Sequence, residues 1–141
     1  MIMNLDIYDK IYQILKSFLE SESQYSPIVS KEELRQFDRF PLVVITEENN
    51  AYLIGTTRFE ETKSRLNYEI NIYATDKKVG NKVIAKQAIA RELSGLVDNV
   101  MGYNLRMIRR SCRPTPNTDK TIYRITMRYV GNLNDNTGKL Y

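Results

Sequence analysis

Between residues 5 and 19 the apolar side chains Ile7, Ile11, Ile14, Leu15 and Phe18 recur at spacings of three and four. That period gathers them into one stripe of a helix. Asp6 and Asp9 stand at its start, where the helix dipole favours negative charge. Pro27 and its neighbouring serines end it, and Ser30-Lys31-Glu32-Glu33 has the Ser-x-x-Glu spacing of a capping box, which predicts a second short helix through Phe37. Residues 42–45 form a continuous apolar run with two valines, preceded by Pro41, which holds Phe40 extended; this predicts a strand covered on both faces. Residues 47–50 (Glu-Glu-Asn-Asn) read as a turn, and residues 51–65 as a hairpin reaching out from the body. Tyr68, Ile70, Ile72 and Ala74 alternate with Asn67, Glu69, Asn71 and Tyr73, the pattern of a half-exposed strand.

A long helix is expected next, capped by Thr75 or Asp76, with Ile84, Ala88, Ile89, Leu93, Leu96 and Val100 as its stripe and Gly102 as a left-handed stop. At ~1.5 Å per residue it would measure about 30 Å. An extended pattern resumes at residues 104–108, and Pro114 and Pro116 then forbid a central strand. In the last periodic segment Tyr123, Ile125, Met127 and Tyr129 share one face, while Ile122, Arg124, Thr126, Arg128 and Val130 share the other. From Gly131 the chain is rich in Gly, Asn and Asp, which predicts one domain over residues 1–130 and a flexible arm over 131–141. A helix with one apolar stripe and a sheet with one apolar face bury each other. The fold class expected is therefore α+β: an antiparallel or mixed sheet of four to five strands packed against a long amphipathic helix and an N-terminal helix.

Composition narrows the chemistry. The 141 residues contain no histidine and one cysteine, which excludes Ser-His and Cys-His nucleophile pairs, His-ligated zinc and a thiolate metal cage. No phosphate-cradling glycine motif is present. Glu61-Thr62-Lys63 has the acid-x-lysine spacing of magnesium-dependent nucleases, a short match better explained as a solvated hairpin tip. No enzyme activity and no cofactor or metal are expected. No apolar run is long enough to span a membrane, and the N-terminus carries acids where a secretory signal has a basic start, so a cytosolic protein is expected.

Charge adds the strongest signal. Up to Glu60 there are six Lys and Arg against ten Asp and Glu; from Glu61 onward there are fifteen against seven, so the net charge passes from −4 to +8. Arg106, Arg109, Arg110 and Arg113, with Arg124 and Arg128 on the last strand, would form a basic ribbon if the two segments pair. Its plain reading is an edge that discourages strand pairing. Lys77, Lys78, Lys82 and Lys86 crowd the expected helix start, where the dipole disfavours them. Ten tyrosines and no tryptophan tilt the aromatics toward side chains that suit interfaces, although most such residues serve as half-buried strand positions.

The N-terminal amphipathic helix, FPLVVI, NYEINIYATDKKVGNKVIAKQAIARELSGLVDNVMG as strand and long helix, the basic RMIRRSCRPTPNTDK loop and YRITMRYVGNLN together resemble the tail terminator (tail completion, head-to-tail joining) proteins of long-tailed bacteriophages, over residues 7–132. The resemblance implies a small α+β structural subunit. Such subunits form a homo-oligomeric ring, commonly a hexamer, on the head-proximal end of the tail tube. The ring ends tail growth and meets the head-side neck or connector protein, with DNA only as cargo through its channel, in the virion or in the host cytoplasm during assembly. Unlike charges on the two halves suit the heterologous contacts of a ring. The interface candidates are Arg106, Arg109, Arg110, Arg113, Arg124 and Arg128 against the acids Glu47, Glu48, Glu60 and Glu61. Arg124 and Arg128 are expected to face a neighbouring subunit's acids, because a passage for moving DNA should avoid tight phosphate binding. The alternative is a nucleic-acid-binding module using the basic loop and last strand, with a metal-dependent nuclease a distant third.

Overall fold

The computed structural model describes residues 7–31, 39–53, 63–116, 119–134 and 140. In chain order these residues form α1 (Ile7–Glu22), β1 (Ile28–Ser30), β2 (Leu42–Leu53), β3 (Lys63–Ala74), β4 (Lys77–Val79), β5 (Lys82–Ile84) and α2 (Lys86–Asp98). A π-helical turn (Asn99–Asn104), β6 (Ile108–Thr115) and β7 (Tyr123–Asn134) complete them. Five strands make one mixed sheet in the order β1-β2-β3-β7-β6, while β4 and β5 pair separately. β1 runs parallel to β2, and the other neighbours are antiparallel. The fold is the α+β sheet-and-helix layer that the alternating and helical periods require.

Both helices cover one sheet face. α1 contributes Ile7, Ile11, Leu15 and Leu19, and α2 contributes Ile89, Ala90, Leu93 and Val97. They meet Val43, Ile45, Tyr68, Ile70, Ile72, Ile125, Met127 and Tyr129 from β2, β3 and β7. Each large apolar side chain so buried contributes roughly 1.5–3 kcal/mol. Two tyrosines of α1 tie it to the sheet: the Tyr8 hydroxyl donates to the Ile45 carbonyl at 2.6 Å, and the Tyr12 hydroxyl to the Val29 carbonyl at 3.1 Å. On the opposite face Leu42, Val44 and Tyr73 are buried with Phe40, Ile28 and Ile122 packed on them. The strand beginning at Leu42 is thus covered on both faces, as its unbroken apolar run predicts.

Several local expectations give way to longer-range contacts. Residues 47–50 continue β2 instead of turning, with a register shift between Glu47 and Asn49. Their acids have partners across the sheet, which outweigh the poor strand propensity of Glu and Asn. Ser30 ends β1, and residues 32–38, where a helix capped by it was expected, lie outside the described residues. The tip of the expected hairpin, 54–62, also lies outside them, but β2 and β3 pair out to Leu53 and Lys63.

The long helix starts ten residues late. Val79 pairs with Lys82 around Gly80-Asn81, and Gly80 adopts φ +61, a conformation glycine takes without cost. Asp76 still caps α2, from a distance: its Oδ1 accepts the Lys86 N–H at 2.8 Å. Substituting Asp76→Ala should lower unfolding free energy by about 1 kcal/mol in urea titration. Gly102 is not a left-handed stop either, since it sits inside the π-helical turn, where Val100 and Met101 are both buried. After the π-helical turn it is Arg106 that is left-handed, at φ +54.

β7 also runs past the expected domain end at residue 130, pairing with β3 as far as Asn134, and Leu133 bridges Leu140. Gly131 therefore belongs to the core layer and not to an arm. A Cβ there would lie 3.0 Å from Met107 Cγ, so its bareness admits the methionine.

Candidate interaction surface

Register across β2, β3, β7 and β6 assembles the helix-free face in rows. One row is Leu42, Tyr73, Arg124 and Thr115; the next is Val44, Asn71, Thr126 and Arg113; the third is Thr46, Glu69, Arg128 and Ser111. The expected pairing of the two basic segments is therefore present, but the arginines do not make one ribbon. Arg113, Arg124 and Arg128 share this face, whereas Arg109 pairs with Tyr129 in a helix-side row and Arg110 falls at the register shift between Arg109 and Ser111.

The middle of this face is matched within the chain. Arg128 lies 3.4 Å from Glu69 Oε2 and 3.5 Å from Glu48 Oε1. Arg124 donates through Nε to Asn71 Oδ1 at 3.0 Å, and its guanidinium lies 5.3 Å from the Tyr73 ring centre. The Thr126 hydroxyl also donates to Asn71 Oδ1, at 2.7 Å, and accepts from Thr115 at 2.6 Å; Asn71 Nδ2 donates to Glu69 at 2.9 Å. Asn71 is only 5% exposed and Thr126 only 4%, so these bonds replace water for groups that would be costly to leave unpaired. The acids that meet Arg128 belong to its own chain, and the partner of Arg124 is a neutral amide.

On the helix side two acids bind tyrosines. Tyr68 donates its hydroxyl to Glu47 at 2.6 Å and Tyr129 to Asp98 at 2.8 Å, with Arg109 at 3.4 Å from the second Asp98 oxygen. Burial first, then the neighbouring carboxylate, pushes both phenols far above their ordinary range. Glu47 thus serves an internal bond. Glu60 and Glu61 lie outside the described residues, as do two of the three residues of Glu61-Thr62-Lys63. Among the described residues no three of His, Cys, Asp and Glu gather as a metal site, and no helix is long and apolar enough to cross a membrane.

What stays available is the outer edge and the turn leading into it. Arg106, Arg110 and Arg113 are exposed and have no ion pair among the described residues. Tyr103 is 83% and Ile108 64% exposed on the same stretch. β6 is an outermost strand broken by a register shift and containing Pro114, features that blunt strand-to-strand pairing, so any partner must use its side chains. Tyrosine, arginine and an aliphatic side chain are the composition of an interface centre. The sequence pattern marked the arginines but not Tyr103 or Ile108, which follow a helix stripe and precede a strand and so looked like ordinary structural positions. Glu69, the missed partner of Arg128, was visible only as one polar member of an alternating strand.

No family model matches this chain, and a search of curated proteins finds no match either.

Proposed function

We propose that this chain is a structural assembly protein of the tail terminator kind, a subunit whose homo-oligomeric ring caps a phage tail tube, ends its growth and offers a joining surface to the head-side neck. The observation that carries the reading is the exposed set Tyr103, Arg106, Ile108 and Arg110, where apolar area coincides with positive charge that has no ion pair among the described residues. The α+β architecture supports it, being the subunit form that the sequence resemblance implies. Arg110 and Arg113 on β6, whose guanidinium groups have no ion pair among the described residues, are the side chains to meet a neighbouring subunit's acids. Arg124 and Arg128 hold the subunit's own sheet face together.

Reversing Arg110→Glu and Arg113→Glu together should weaken self-association about tenfold or more while the circular dichroism stays unchanged, measured by size-exclusion chromatography with light scattering. Assembly untouched by this double reversal removes β6 from the interface. A strict monomer that binds duplex DNA, with affinity falling steeply in salt, would instead favour the nucleic-acid reading, in which the same three arginines contact phosphates.

A further inference from the structure

A groove runs between α1 and the turn that follows the π-helix. Ile7, Ile11, Ile14 and Leu105 line it with Lys10 and Arg106, and no carboxylate does among the described residues. It continues along α1 past Phe18, the two parts sharing Ile14 and Asn104. Ile14 belongs to the helix stripe yet is 42% exposed, so the stripe is wider than the chain's own described residues cover. Arg106 adds an independent sign. It holds φ +54, where a side chain costs on the order of 1 kcal/mol that glycine would not incur. Local backbone stability therefore does not account for an arginine there.

We infer that this groove receives residues 54–62 of a second copy of the chain, with Phe59 or Ile54 against the isoleucines and Glu60 and Glu61 against Lys10 and Arg106. The inference rests on the ring reading and names the contact that would close it. Residues 54–62 join β2 to β3 beyond Leu53 and Lys63, and their sequence, Ile-Gly-Thr-Thr-Arg-Phe-Glu-Glu-Thr, supplies both an aromatic anchor and paired acids. The groove supplies the converse, an apolar lining with two cations. A segment of one subunit entering a groove of the next is a heterologous contact, the kind that propagates around a ring.

The test uses the full chain with Cys112→Ser, so that added thiols are the only ones. Ile14→Cys and Phe59→Cys together should give covalent dimers and higher species on mild oxidation. An intramolecular bridge in a monomer overturns the inference by placing the segment on its own groove, and failure to cross-link overturns it outright. Separately, Arg106→Gly, which removes the guanidinium and relaxes the backbone, should raise the self-association Kd roughly tenfold without lowering thermal stability. Rings that persist at unchanged Kd remove the groove but leave the ring reading standing, whereas a strict monomer takes both away.

Discussion

Above pH 10 the folded protein is expected to lose unfolding free energy at about 2.7 kcal/mol per pH unit, twice the slope of a single proton. Tyr68 and Tyr129 are the source. Each is at most 1% exposed and donates its hydroxyl to a carboxylate, so ionisation in place would bury an anion beside an anion. The folded chain therefore keeps both protons at a pH where the unfolded chain has released them. With fewer protons bound in the unfolded state, stability falls as pH rises, starting at the ordinary tyrosine value near 10 and continuing upward; below it the two tyrosines contribute no pH dependence. Urea titrations between pH 9 and 12 read the slope directly. Tyr129→Phe should halve it, and an unchanged slope would show that Tyr129 ionises as freely folded as unfolded.

Replacing Asn71 with leucine is expected to cost roughly 2–3 kcal/mol, large for a residue on a helix-free face. Asn71 Oδ1 accepts from both Arg124 and Thr126, and its amide donates to Glu69. An isosteric apolar side chain leaves the Thr126 hydroxyl facing it at a position 4% exposed. The check is non-additivity. Asn71→Leu with Thr126→Val should cost less than the sum of the single changes, because the second substitution removes the donor that the first strands. Strict additivity would mean the two side chains are energetically separate.

The parts of this fold that the chain announces are those governed by one repeating period. β3 and β7 alternate because one face packs on the helices and the other carries polar side chains, although β3, expected to be half exposed, is buried on both faces at Asn71 and Tyr73. α1 shows its stripe because Ile7, Ile11, Leu15 and Leu19 are buried, with Ile14 left 42% exposed. The departures share a different cause. Residues 77–84 resemble the head of a helix because Ile84 and Ala88 happen to fall four apart, yet Gly80-Asn81 following Val79 and preceding Lys82-Val83 is a hairpin signal that outranks the coincidence. Glu47 and Glu48 look like a turn until Tyr68 and Arg128 are placed beside them. The candidate surface follows the same rule. That its stretch is basic is plain from composition, but which arginines remain free depends on register: Glu69 and Arg128 are 59 residues apart in sequence. Pairing at that distance leaves no local trace.

The small hairpin of β4 and β5 has a consequence for how this chain tolerates change. Asp76 on its entering side holds the first amide of α2, and Lys77 reaches the Tyr25 carbonyl at 3.0 Å, while Lys86 on its leaving side reaches the Lys120 carbonyl at the same distance. Both feet are moored independently of the tip. Length added or removed at Gly80-Asn81 is therefore insulated from the helical layer, which makes this protrusion the natural place for related chains to differ in size and for a label or a reporter domain to be grafted.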